Sequence, residues 1–189
     1  MKVQIISGSR NPDGQTAEAI KGIETCLKDT GASVDKIFLP DREIKLCRQC
    51  FDDGWGLCRK ENRCVIEDDF SEVVDKLLST DLAVIANPVY FGGLSESMQS
   101  FLGRLRRIRH HNGLGEIADL PVVGICVAGG SGRGTTSCID QLNDVLRTCG
   151  FDILDMIAVR RQNLELKVEI LQTTGKWLGK NLYRFRKFD

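Results

Sequence analysis

Ser7-Gly8-Ser9-Arg10-Asn11-Pro12-Asp13-Gly14-Gln15-Thr16 lies between a short apolar run, Val3, Ile5 and Ile6, and a helical pattern carried by Ala17, Ile20, Ile23 and Leu27. A strand that gives way to small, hydroxyl-bearing and glycine residues and then opens a helix presents free backbone N–H groups at the positive end of a helix dipole. Such a loop is an anion site, and phosphate is the anion it suits best. Ser7, Ser9 and Thr16 offer hydroxyl donors, Arg10 a charge, and Gly8 and Gly14 allow close backbone approach. The stretch matches neither GxGxxG nor GxxxxGK[ST], which argues against a dinucleotide site and against an ATPase. Without a ligand, the same residues make an ordinary strand-to-helix turn capped by Asn, Asp or Thr.

The rest of the chain places this unit in a larger pattern. Val34 to Leu39 reads as a strand of mixed polarity ended by Pro40, and Cys47 to Asp69 as a polar, cysteine-rich excursion. Phe70, Val73, Val74, Leu77 and Leu78 have helical spacing, and Leu82 to Ala86 is an apolar strand. Met98, Phe101, Leu102, Leu105 and Ile108 then share one face of a helix starting near Ser95 or Ser97. Pro121 introduces a strand at Val122 to Val127, and Ile139, Leu142, Val145, Leu146 and Cys149 mark a helix stopped by Gly150. Phe151 to Ile157 alternates as a strand, and Leu164, Val168, Leu171, Leu178 and Leu182 carry a last helix.

Five strands alternating with five helices predict an α/β doubly wound sheet. The runs at Val3, Leu82 and Val122 are apolar enough to be covered on both faces, whereas those at Val34 and Phe151 are interrupted by charge and belong at the edges. The expected fold is a flavodoxin-like five-stranded parallel sheet, order 2-1-3-4-5, with a cysteine-rich loop after the second strand. A chain of 189 residues, 42% hydrophobic, suits one domain over residues 1–189. No window reaches the eighteen or so apolar residues of a membrane span, and Met1 leads into a strand without a signal-peptide pattern. A cytoplasmic protein with no membrane partner is expected. Lys plus Arg and Asp plus Glu both number 26, so no net field favours nucleic acid.

Glycine-containing loops follow the first, third and fourth strands, which are central neighbours, so the loops converge on one crevice. The first supplies a phosphate cradle, the second a Pro88-Val89-Tyr90-Phe91-Gly92-Gly93 wall and the third a slim Gly129-Gly130-Ser131-Gly132 backbone. Together they suit a flat heteroaromatic ligand with one phosphate, FMN. Tyr90 and Phe91 are placed to stack on or border its ring, a contact worth about 0.5–1.5 kcal/mol beyond burial. The plainer alternative for Tyr90 is a rim aromatic packed on the next helix.

SGSRxxxGxT at 7–16, NPVYFGGLSESMQSFLGRL at 87–105 and the glycine-rich loop after the fourth strand resemble the NADPH-dependent FMN reductase family. CRQC at 47–50, a further cysteine and CVIEDDF at 64–70 resemble its iron-sulfur flavoprotein branch. The resemblance implies that Ser9, Arg10, Gly14, Gln15 and Thr16 hold the FMN phosphate. It further implies that Pro88, Val89, Tyr90, Phe91 and Gly92 border the ribityl chain and ring, with Ala128, Gly129 and Gly130 on the other side. NAD(P)H as co-substrate and a homodimer or homotetramer follow from the same likeness. The family often has Asp before the helix arginine, where Gly103 precedes Arg104 here, and no catalytic role attaches to that position.

Cys26, Cys126, Cys138 and Cys149 fall within strand or helix patterns and read as small core residues. Cys47, Cys50, Cys58 and Cys64 fall within eighteen residues of a charged loop, where packing gives no reason for them. Their number suits four-thiolate coordination of zinc or of an iron-sulfur cluster. The branch carries CxxCxxC, whereas seven residues, Phe51 to Leu57, separate the second cysteine from the third here. A [4Fe–4S] cluster, zinc and no metal all stay open, as does a redox-active thiol pair at Cys47 and Cys50. Because their loop follows the second strand, these cysteines are expected at the carboxyl edge of the sheet, near the crevice. The basic run from Arg104 to His111, with Arg106, Arg107 and Arg109, reads as a solvated helix face. Alternatively it serves a partner subunit's acidic loop or the 2′-phosphate of NADPH. His110 and His111 are not read as catalytic.

The expected function is an FMN-binding oxidoreductase that takes electrons from NAD(P)H and passes them to a quinone, free flavin, metal or protein acceptor. The cofactor carries that chemistry, so no catalytic residue is nominated. The alternative is an iron-sulfur flavoprotein relaying single electrons between protein partners, for which the balanced charge provides no docking field. A zinc-stabilised binding module without flavin is a third reading, disfavoured by the three converging loops.

Overall fold

A computed structural model of the protein describes residues 1–109 and 119–185. Five strands, β1 (Lys2–Ser7), β2 (Ser33–Phe38), β3 (Leu82–Pro88), β4 (Pro121–Ala128) and β5 (Asp152–Arg160), form one sheet in the order β2-β1-β3-β4-β5. Every neighbouring pair is parallel. The order inferred from strand polarity is therefore the observed one, and its cause is visible in burial. β3 and β4 are buried along their whole length, while β2 and β5 are mostly half-buried or exposed, as edge strands are.

Six α-helices occur among the described residues: α1 (Gln15–Asp29), α2 (Leu57–Glu61), α3 (Phe70–Leu78), α4 (Glu96–Arg109), α5 (Thr135–Cys149) and α6 (Leu164–Asn181). Five were expected. The extra one, α2, is a single turn inside the cysteine-rich excursion, closed by Asn62 in the left-handed conformation (φ 52°). Gly150 ends α5 at φ 89°, a conformation that costs a residue without Cβ nothing.

Alternation along the central strands sorts the core into two layers. Leu82, Val84 and Ala86 join Val3, Ile5, Ile20, Ile23 and Leu171 on the face covered by α1 and α6. Ala83 and Ile85 join Ile6, Phe70, Phe101, Leu105 and Leu142 on the face covered by α3, α4 and α5. A period of two on strands meeting periods of 3.6 on helices gives both layers a continuous apolar seam.

α1 and α6 pack closely because small residues face each other. A Cβ built at Gly175 would stand 2.7 Å from the Ile23 carbonyl oxygen and 3.2 Å from the Cys26 Cβ. Backbone cannot yield as a flexible side chain does, so Gly175→Ala must push α6 away from α1. The expected loss is about 1–3 kcal/mol, the usual range for overpacking, read as a lower denaturant midpoint with an unchanged slope.

Candidate functional site

The site begins with what α1 lacks. Its N-cap is Gly14, which has no side chain to satisfy the first-turn N–H groups, and no side-chain cap is made. The Asn, Asp and Thr residues do not cap this helix; Asn11 Oδ1 instead accepts from the Asp13 N–H at 2.9 Å, an Asx turn within the loop. Thr16 and Ser9 are both buried there. This uncapped end opens into a crevice of about 470 Å³ at the carboxyl ends of β1, β3 and β4.

Nine of the thirteen residues implied by the resemblance line that crevice: Ser9, Gly14, Gln15, Thr16, Pro88, Val89, Tyr90, Ala128 and Gly129. Arg10 does not. Its guanidinium donates to the Pro40 carbonyl at 3.3 Å, beside a neighbouring depression of about 280 Å³ that Tyr90 also borders. Phe91 and Gly92 are the central residues of a two-residue turn, φ 49° and 80°, closed by reciprocal Tyr90 and Gly93 backbone hydrogen bonds of 3.1 and 2.8 Å. Both dihedrals lie in the left-handed region that such hairpin turns require, and they leave the Phe91 ring fully in solvent. Gly130 is also exposed, its carbonyl accepting from Gln162 Nε2 at 2.9 Å. Three lining residues were not singled out: Asn11, Val127 and Arg133. Arg133 stands between two glycines of the third loop, the one signal that could have marked it as the crevice's cation.

The loops brace one another. Buried Asn87 at the end of β3 accepts from the Ser95 N–H (3.0 Å) and hydroxyl (3.1 Å) and donates to the Pro88 carbonyl (2.7 Å). Ser137 Oγ donates to the Gly92 carbonyl at 3.1 Å, and a Cβ at Gly134 would fall 2.5 Å from Gly92 Cα. The second and third loops are thus in backbone contact.

Cys47, Cys50, Cys58 and Cys64 converge on one small cavity of about 20 Å³. It shares no lining residue with the crevice. Arg104, Arg107 and Ile108, in the second half of α4, form its wall, and Arg104 lies about 12 Å along the helix from Glu96 at 1.5 Å per residue. The four cysteines share one cavity, as expected of a common site, and that cavity is set against the second half of α4. Among the described residues, no three His, Cys, Asp or Glu side chains are arranged to hold one metal ion.

Arg104 and Arg107 of the basic run do not belong to a solvated face. Arg104 is 1% exposed, with Nη1 and Nη2 donating to the two Asp68 carboxylate oxygens at 2.6 and 3.0 Å. The same group donates to the carbonyls of Lys45 and Ile66 and to Cys64 Sγ, and lies 4.1 Å over the Phe70 ring. Arg107 sits 4.0 Å over Trp55 and donates to the Gly54 carbonyl. Only Arg106 of these three is exposed; the side chain of Arg109, with His110 and His111, lies outside the described residues. Nε of both Arg104 and Arg107 is buried without a hydrogen-bond partner.

A family model described as NADPH-dependent FMN reductase matches residues 1–166. An iron-sulfur flavoprotein of Methanocaldococcus jannaschii is 33% identical over 109 residues, 58% of this chain and 54% of that one. An iron-sulfur flavoprotein of Methanosarcina thermophila is 29% identical over 157 residues, 82% and 77% of the two chains. The chain thus spans about half the length of the first relative. The fold is shared with an NAD(P)H:quinone oxidoreductase from Methanothermobacter marburgensis, TM-score 0.69 at 15% identity, covering 94% of this chain and 96% of that one.

Burial alone would raise the Asp68 carboxyl, but the Arg104 hydrogen bonds, the Lys45 and Phe70 N–H donors and the Arg104 charge hold it below the usual carboxylate range. Its contribution to stability is present above the unfolded value of about 4 and is lost as pH falls through the lower folded value. Asp68→Asn should cost about 3–5 kcal/mol at neutral pH, the penalty for stranding a buried charge. In denaturant titrations, the gap between the variant and the parent should narrow only below about pH 4.

Proposed function

The chain belongs to the NADPH-dependent FMN reductase family, and from that membership and the crevice we propose a flavin-dependent oxidoreductase that binds FMN and draws electrons from NAD(P)H. The observation that carries this reading is the uncapped N-terminus of α1, which meets the second and third loops around one volume of about 470 Å³. That size is ordinary for a cofactor site, and the donor chemistry is that of a phosphate cradle. The first-turn N–H groups of α1, with the Ser9 and Thr16 hydroxyls, would hold the phosphate. Val89 and Tyr90 would border the ring, with Ala128 and Gly129 opposite. Bound FMN supplies the hydride and electron chemistry. The chain's own contribution is binding, orientation and exclusion of water. Quinone, flavin, metal and protein all suit as electron acceptors.

A second reading, in which the four-cysteine loop carries a metal group and the protein relays electrons between partners, rests on a separate observation. Four thiols and two guanidinium groups with unpartnered buried N–H donors surround one cavity, a donor set matched to an anionic, thiolate-held centre. The ligand geometry itself is not closed, since the cavity has room for little more than a water molecule. No electron step is assigned to it.

Thr16→Ala should weaken FMN binding roughly tenfold or more, because a hydrogen bond to a charged group is worth about 1.5–3 kcal/mol. Unchanged affinity in a fluorescence titration, with circular dichroism intact, counts against the phosphate assignment. Anaerobic stopped-flow mixing with NADPH or NADH should bleach the flavin absorption. Without bleaching, the carrier reading takes its place. Anaerobic purification followed by iron and sulfide analysis separates a cluster from zinc or no metal.

A further inference from the structure

Behind the crevice lies a second pair of thiols that the flavin reading does not use. Cys126 on β4 and Cys138 on α5 are both fully buried, with Sγ atoms 3.3 Å apart. Cys126 immediately precedes Val127 and Ala128 of the crevice wall, and it stands opposite Asn87 in the β3–β4 register. Cys138 Sγ accepts from Asn87 Nδ2 at 3.4 Å and lies 3.3 Å from the Gly93 carbonyl, to which its thiol donates. The pair therefore brackets the whole third loop, one thiol at each end, and touches the two residues that hold the second.

We propose that Cys126 and Cys138 form a reversible disulfide, an oxidation site that staples the third crevice loop. Forming a bond of about 2 Å from the 3.3 Å separation closes the two sulfurs by roughly an ångström. The Cys126 hydrogen bond and that of Asn87 hold Cys138 below the ordinary thiol range against the opposing effect of burial, while the contact with Cys138 and burial push Cys126 up. Asn87 Nδ2 donates to Cys138 Sγ and stabilises its thiolate, so Cys138 is the attacking sulfur and Cys126 the resolving one.

The oxidant is a hydroperoxide little larger than water, which reaches the pair when the crevice loops open locally. The Cys138 thiolate attacks one peroxide oxygen, the O–O bond breaks, and the departing hydroxide takes a proton to become water. Cys126 sulfur then attacks the resulting sulfenic sulfur; the S–O bond breaks, and hydroxide leaves with the Cys126 proton as a second water. Two thiols lose two electrons to one peroxide, and an external dithiol reverses the change. Once closed, the disulfide removes the donor from the Gly93 carbonyl and restrains residues 127–137 at both ends.

The test uses the flavin-free full chain, so its outcome is independent of the FMN assignment. After treatment with hydrogen peroxide and alkylation of remaining thiols, trypsin cleaves after Arg133, between the two cysteines. A disulfide-linked pair of peptides carrying Cys126 and Cys138 is expected, removed by dithiothreitol. Amide hydrogen exchange in residues 128–134 should slow at least threefold in the oxidised protein and recover on reduction. Cys138→Ser should show neither change. Sulfinic or sulfonic acid without the linked pair, or a linked pair with unaltered exchange in that loop, overturns the proposal.

Discussion

The Arg104–Asp68 pair is the interaction on which the flank of this molecule depends. A guanidinium on α4 and a carboxylate 36 residues away in sequence are both removed from water and joined through two hydrogen bonds. Such a pair contributes little net stability compared with apolar packing, but separating it leaves an uncompensated buried charge. It therefore acts as a register pin. It fixes how the cysteine-rich excursion lies against α4, and it fixes the rotation of α4 about its own axis. That rotation carries Ser95 and Ser97, just at the start of the helix, to Asn87 and Gly8 at the crevice. The cysteine flank and the crevice are mechanically continuous through one helix while sharing no wall.

The crevice itself is a product of strand order. β1 and β3 are neighbours whose following helices cover opposite faces of the sheet, and the gap between their loops is where ligands settle in open α/β folds. Close backbone approach then makes the gap a defined shape. Gly8 permits this beside Ser95, where a Cβ would stand 2.5 Å from the hydroxyl, and Gly134 permits it beside Gly92. Glycine at these two positions serves proximity rather than mobility.

Much of this was readable from the chain. Continuous apolar runs against charge-broken ones were enough to place five strands, because burial on two faces leaves no position for a charged residue. The phosphate loop and the convergence of three loops followed from that order. What escaped is instructive in each case. Arg104 occupies the buried stripe Phe101, Leu105 and Ile108 by spacing, yet its charge suggested solvent; only a distant Asp68 reverses that, and spacing along one helix does not report it. Arg10 is expected at the phosphate from its neighbours in sequence, and its guanidinium donates to the Pro40 carbonyl, a contact 30 residues away that the loop itself does not report. Phe91 is expected at the ring, and the turn geometry that leaves its side chain in solvent is not visible in the glycines that follow it. That the four cysteines rest against the second half of α4 is a matter of long-range contacts, which spacing within the loop does not report.

The two ends of that excursion are tied together. Glu43 N–H donates to Asp69 Oδ2 at 2.8 Å and the Asp69 N–H returns to the Glu43 carbonyl at 3.0 Å, so the residues between leave the body and re-enter at one point. A loop with such closely held feet is a detachable module: losing or lengthening it changes closure entropy only logarithmically and leaves the sheet untouched. Arg104 is the exception. A version of this fold without the excursion would leave a guanidinium facing an apolar layer with no counter-charge, so the insertion and the arginine depend on each other physically. Where the loop has been shed, an apolar residue at that position of α4 is the physically consistent replacement.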